Sequence, residues 1–244
     1  MADRFYARFN LSREDFLAYK EEFDELQKAR EEALKKELPY ETATLNSKKV
    51  LFIGDSITSD NLGYRISVSR AAELSAINGS LSSSNSSALL EQSLRLIESE
   101  KPEIVSIMLG TNDSISIGAL GNNQVPLEEY TENMKKIVRK AKDAGAIVLL
   151  FEIPIVHEEL FSEYFNPRGK FQTNETVKLY NEKLAEIAVK ASIPLIEHSW
   201  LTGVDFTPFF EPDGVHLSEK AQAHFSRNWL INASNLIKNK GEEK

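Results

Sequence analysis

The chain has 244 residues, of which 41% are hydrophobic and 27% charged, with 29 basic against 37 acidic side chains and a formal net charge of −8. This is the composition of an ordinary globular domain; no apolar run reaches the length of a membrane span, and the acidic balance argues against a surface that tracks nucleic-acid phosphates. With no cysteine, disulfides, thiolate metal sites and a cysteine nucleophile are excluded. Residues 1–10 lack the charged-then-apolar pattern of an export signal, so the expectation is a cytoplasmic protein without a membrane partner.

Residues 12–38 read as one long helix. Ser12, followed by Glu14 and Asp15, approximates a capping box. Phe16, Tyr19, Phe23 and Leu26 recur at spacings of three and four and form one apolar stripe. Asp24 with Lys28, Glu31 with Lys35 and Glu32 with Lys36 are acid-before-base pairs one turn apart. Pro39 is expected to end the helix. The stripe either docks on the rest of the chain or pairs with a second copy in a homodimer, and the helix carries no evident site chemistry. Residues 1–45 are therefore read as a helical extension and 46–244 as the main domain.

From Lys48 onward, strand and helix patterns alternate. Strands are expected at 50–54, 74–78, 104–109, 147–153 and 193–196; helices at 61–74, 88–99, 127–144, 176–192 and 221–237. Gly145 fits a helix C-cap before the fourth strand. Such alternation implies right-handed crossovers and a three-layer α/β/α domain around a central parallel sheet of about five strands. In sheets of this kind ligands bind at the carboxyl ends of the strands.

Chemistry-bearing residues collect at those ends. Val50-Leu51-Phe52-Ile53 runs directly into Gly54-Asp55-Ser56, the second strand is followed by Asn78-Gly79-Ser80-Leu81-Ser82-Ser83, and the third by Gly110-Thr111-Asn112-Asp113. Asp213-Gly214-Val215-His216 precedes the last helix. Singly, each reads as a cap or a turn. Together they provide a hydroxyl, a base, an acid to orient the base and an amide donor, which are the parts of an acyl-transfer site.

In this order and at these positions the motifs resemble those of the SGNH hydrolases, the GDSL-type esterases and lipases, over roughly residues 48–237. The resemblance implies a flavodoxin-like SGNH fold, with Ser56 as nucleophile, His216 as general base and Asp213 as the group orienting the imidazole. It also implies an oxyanion hole built from the backbone N–H of Ser56, a backbone N–H after the second strand and the side chain of Asn112. The family pattern after that strand is near Asn-x-Gly-x-Ser-Gly; aligned on Asn78, Ser80 and Ser83 stand at the glycine positions. Ser83 is the expected donor, with Gly79 as the alternative. Asp55, Gly79, Asp113 and His157 are expected to line the pocket. The Gly-x-Ser-x-Gly elbow of the α/β-hydrolases is absent.

His157, His198 and His224 show no metal-ligand spacing, and neither a dinucleotide-binding glycine motif nor a P-loop is present, so no metal or cofactor is expected. His198 and His224 are read as structural. Segments 115–125 and 158–173 are long enough to shape a pocket; the second carries Phe161, Tyr164, Phe165, Arg168 and Phe171, which face either a substrate or the core. The expected function is a serine esterase that removes a short acyl group, acetyl first, from a small soluble ester such as an acetylated carbohydrate. A thioesterase or lysophospholipase on the same site, and a binding domain that kept the fold without turnover, are the alternatives.

Overall fold

The computed structural model describes residues 13–118, 121–198, 201 and 207–242. Residues 1–10, read above for targeting, lie outside the described residues, as do the cap at Ser12 and the side chains of Phe16, Tyr19 and Phe23. The elements in chain order are α1 (Arg13–Glu37), α2 (Pro39–Leu45), β1 (Lys49–Gly54), α3 (Ser56–Ser59), α4 (Tyr64–Ala71), β2 (Ser75–Asn78), α5 (Ser86–Glu100), β3 (Ile104–Met108), β4 (Ser116–Ile117), β5 (Asn122–Asn123), α6 (Leu127–Asp143), β6 (Ile147–Phe151), α7 (Glu158–Phe165), β7 (Lys170–Phe171), α8 (Asn174–Ala191), β8 (Leu195–Ile196) and α9 (Glu219–Glu242).

The main sheet has the order β2-β1-β3-β6-β8, and every pairing in it is parallel. Alternate residues of β1 face opposite layers, as the two-residue period of a strand requires. Val50 and Phe52 pack into a core with Leu34, Leu45, Tyr64, Phe225 and Trp229 from α1, α2, α4 and α9. Leu51 and Ile53 pack into the opposite core with Leu89, Ile97, Tyr130, Ile137, Tyr180 and Leu184 from α5, α6 and α8. The fold is thus the expected three-layer α/β/α sandwich. Within the first core, Phe52 stacks on Trp229 at 5.5 Å and the indole N–H donates to Ser106 Oγ at 2.9 Å, so the one polar atom of that large side chain is satisfied.

Several boundaries differ from expectation, each for a local reason. Pro39 does not merely end the first helix; it opens α2, because its fixed φ suits the first helical position and its missing N–H costs nothing there. The helix expected over 61–74 is shorter, α4 at Tyr64–Ala71, and a further short helix, α3, precedes it. The two are separated by a turn in which Asp60 Oδ1 accepts from Leu62 N–H at 2.9 Å. Segments 115–125 and 158–173 are not open loops. They build a second, antiparallel sheet of order β5-β4-β7, together with α7. Among the described residues no helix is long and apolar enough to cross a membrane.

Candidate active site

β1 delivers Ser56 to the carboxyl edge of the sheet. Gly54 is required at the turn, because a Cβ there would fall on Thr58 Oγ1 and 2.6 Å from the Met108 carbonyl. Asp55, fully buried, caps α3 by accepting from Ile57 N–H at 3.1 Å. Ser56 is then the first residue of α3, a position whose N–H has no partner within its own helix.

The opposite wall is the turn 213–216. Gly214 has φ +73°, and a Cβ there would lie 2.6 Å from the His157 carbonyl. Only glycine lets this turn seat on the start of α7, where its carbonyl accepts from His157 N–H at 2.9 Å. Asp213 Oδ1 accepts from the amides of Val215 and His216, both at 2.9 Å. Its other oxygen lies 2.5 Å from His216 Nδ1, and His216 Nε2 lies 2.8 Å from Ser56 Oγ. With Nδ1–H given to the carboxylate, Nε2 is left as the acceptor for the Ser56 hydroxyl proton. The hydrogen bond to Asp213 raises the His216 pKa above its ordinary value against the opposing effect of burial, and the charges of Asp213, Asp55 and Asp60 act in the same upward direction. Burial pushes the Asp213 carboxyl up, but the His216 ring and the two amides outweigh it and hold the group below the usual carboxylate range.

The third wall follows β2 and β3. Asn112 Nδ2 donates to the Ser84 carbonyl at 2.9 Å, which uses one of its two hydrogens and leaves the other. Asp113 accepts from Ser86 N–H through both oxygens, at 3.0 and 3.1 Å, tying the 110–113 turn to the start of α5. Burial pushes its carboxyl up to about 6. Gln172, in the strand-end segment after β7, donates to the Thr111 carbonyl at 3.0 Å and to Ser114 Oγ at 2.7 Å, bracing the same turn from the other side.

The amides after β2 are mostly committed. Gly79 N–H donates to the Phe52 carbonyl at 2.8 Å, Ser80 N–H to Asn78 Oδ1 at 3.0 Å, Leu81 N–H to the Gly54 carbonyl at 3.1 Å and Ser84 N–H to the Leu81 carbonyl at 3.3 Å. Gly79 as a donor to a bound oxyanion is thereby corrected: its N–H extends the β1–β2 ladder. Ser83 is exposed and sits at φ +61°, in the left-handed region that a glycine would occupy without strain.

Residues 52–224 match the GDSL-like lipase/acylhydrolase family, more than half of the chain. The chain belongs to that family. Curated relatives include the GDSL esterase/lipase WDL1 of Oryza sativa subsp. japonica, 28% identical over 127 residues, with 49% of this chain and 49% of the relative covered. An arylesterase of Vibrio mimicus is 27% identical over 126 residues (46% and 58% covered), and an isoamyl acetate-hydrolyzing esterase of Saccharomyces cerevisiae is 27% identical over 128 residues (50% and 52%). The matches span about half the length of these relatives. Among solved structures, the fold is shared with an acetyl xylan esterase from Geobacillus stearothermophilus at 20% identity and TM-score 0.59, covering 77% of this chain and 95% of that one. It is shared too with the esterase EstA from Pseudoalteromonas sp. at 20% identity and TM-score 0.60, covering 79% and 100%.

Measured against the family's expected pocket, Asp55, Gly79 and Asp113 do not line an open surface. All three are buried beneath it, as cap, ladder partner and brace. His157 is partly exposed and caps α7, with its ring 3.0 Å from Thr207 Oγ1. His198 is buried, 2.9 Å from the Glu152 carbonyl, and burial lowers its pKa to about 4. His224 lies edge-on to Phe209 at 5.5 Å. The aromatics of 158–173 divide: Phe161 is core, whereas Tyr164 and Phe171 are exposed, with the Arg168 guanidinium 4.2 Å from the Tyr164 ring centre. The contributions of Gln172 and Ser84 are not visible in the sequence, since both act through contacts between segments distant along the chain.

Proposed function

We infer that the protein is a serine esterase that hydrolyses short-chain oxygen esters. The observation that carries this reading is the continuous hydrogen-bonded line from Asp213 through His216 to Ser56. In the reaction, Ser56 Oγ attacks the ester carbonyl carbon while His216 Nε2 takes its proton, and Asp213 steadies the imidazolium that forms. The carbonyl oxygen becomes an oxyanion facing the N–H of Ser56, the N–H of Ser83 and the remaining hydrogen of Asn112 Nδ2. His216 returns the proton to the leaving oxygen as the C–O bond breaks, leaving an acyl group on Ser56. Water then attacks the acyl carbon, giving its proton to His216; the acid departs and Ser56 regains its hydrogen.

Acetyl is the proposed acyl group, on a small alcohol such as a carbohydrate. The support is that relatives and fold neighbours are named for acetate esters and acetylated xylan. The test is hydrolysis of p-nitrophenyl acetate and a panel of acetylated sugars by the wild type and by Ser56→Ala. The expected result is turnover that vanishes with the Ser56 hydroxyl. Turnover that survives the substitution, or none on any ester in the wild type, contradicts the reading.

A further inference from the structure

Asn112 is the one proposed oxyanion donor that is a side chain, so its aim depends on how the 110–113 turn is held. Two ties run from the turn to the segment that opens α5: Asn112 Nδ2 to the Ser84 carbonyl, and the Asp113 carboxylate to Ser86 N–H. Both start at or after Asn112. The residue before it is held from the other side, where Gln172 Nε2 donates to the Thr111 carbonyl at 3.0 Å. That carbonyl belongs to the peptide whose nitrogen is the Asn112 amide. The peptide is planar, so fixing its oxygen fixes the plane from which the Asn112 side chain departs.

Gln172 is itself well placed to hold a position. It lies between β7, which pairs with β4 through Phe171 and Ser116, and Thr173, whose Oγ1 accepts from Thr176 N–H at 3.2 Å to cap α8. The residue is 5% exposed. A carbonyl only accepts, so the amide must turn its NH2 group towards Thr111; its second hydrogen goes to Ser114 Oγ at 2.7 Å. The Ser114 hydroxyl lies 3.1 Å from the Gly110 and Thr111 carbonyls, so these hydrogen bonds close within the turn. β4 begins two residues after Ser114. The small sheet therefore takes the chain away from the oxyanion turn and, through β7, brings a side chain back to it.

We propose that Gln172 is a positioning residue of the oxyanion hole, its two hydrogens holding the Thr111–Asn112 peptide so that the free hydrogen of Asn112 Nδ2 meets the oxyanion. The proposal rests on the esterase reading and adds the small sheet to it as a support of the site. Gln172 acts through Asn112 and not on the ester. A drift of about 1 Å in a positioned group costs on the order of 10²-fold in rate. The loss falls on the transition state, where the oxyanion exists, and leaves binding of the neutral ester little changed.

The experiment is a double-mutant cycle on p-nitrophenyl acetate hydrolysis by the full chain. Gln172→Met keeps the length of the side chain and removes both hydrogens. It is expected to lower kcat by about 10–100-fold with KM changed by less than about twofold. Placed on Asn112→Ala, the same substitution is expected to cost less than about twofold further, because the group it aims is gone. An unchanged kcat, or an equal loss in both backgrounds, overturns the proposal, since support of the fold alone would act with or without Asn112. Should Gln172→Met not unfold cooperatively on heating, Gln172→Asn, which draws the amide back by one methylene, enters the same cycle with the same expected pattern. Ser56-dependent turnover that is indifferent to Gln172 would leave the esterase reading standing alone. Absence of turnover on every ester in the wild type would remove that reading, and the side-chain NH2 resonances of Asn112, assigned by their loss in Asn112→Ala, would then decide. Resonances displaced in Gln172→Met support the positioning, and unmoved ones overturn it.

Discussion

His216 is held by two hydrogen bonds of different kinds, one to a carboxylate and one to a hydroxyl, and the first governs its titration. Because the Asp213 contact raises its pKa above the ordinary 6.5 or so, the imidazole is protonated, and useless as a base, at pH values where a free histidine would already be neutral. The acid limb of kcat/KM against pH is therefore expected to have its midpoint above 6.5, and Asp213→Asn is expected to move it down while lowering kcat by about 10⁴. A limb that stays in place in that variant would dissociate the carboxylate from the base. The proposed oxyanion donors give a second test. Asn112→Ala is expected to lower kcat by about 10²–10³ with little change in KM. Ser83→Gly relieves a left-handed serine and keeps the N–H, so it should raise stability by about 0.5–1 kcal/mol without loss of turnover. Denaturant titration reads the first quantity and steady-state kinetics the second.

At the scale of elements, the site depends on how the 213–216 turn sits on α7. Gly214→Ala would drive a methyl group into the His157 carbonyl and force a left-handed alanine, so the turn must lift. The expected result is a loss of about 1–3 kcal/mol in stability, with a larger fall in kcat than in overall folding, because His216 moves away from Ser56. Wild-type kcat in that variant would show that the seating is unimportant. The same scale separates what the chain announces from what it conceals. The strands β1, β3 and β6 were legible because each is a short apolar run buried on both faces, and the motifs at their ends were legible because hydroxyl, amide, carboxylate and imidazole recur at successive strand ends. The small sheet was not. β7 is two residues long, and Lys170 and Phe171 become a strand only because Ile117 and Ser116 lie beside them. Likewise, Gly79 looks free in sequence; the parallel register that places it against Phe52 is what commits its N–H.

At the scale of the whole molecule, α1 and α2 belong to the core and are not a detachable arm. Leu34 and Leu45 are 3% and 0% exposed and lie in the cluster that contains Tyr64, Phe225 and Trp229. Gln27 donates to the Asn61 carbonyl at 3.0 Å, and Glu37 pairs with Arg227 through both carboxylate oxygens, at 2.5 and 2.9 Å. Burying two leucines contributes roughly 1.5–3 kcal/mol each, a large part of the 5–15 kcal/mol typical of a domain. Deleting residues 1–45 is therefore expected to lower Tm sharply or abolish cooperative unfolding; an unchanged Tm would show that the helices are accessory. That dependence was hidden from the sequence, where α1 displays only a stripe and charge pairs, and its partners lie 30 to 190 residues away along the chain. Activation of Ser56, just beyond the carboxyl end of β1, is read out by labelling with a serine-directed phosphonate and locating the adduct by mass spectrometry. A single adduct on Ser56 is expected, formed rapidly in the wild type and much more slowly in His216→Ala. No adduct on Ser56, or one whose rate ignores His216, would contradict it.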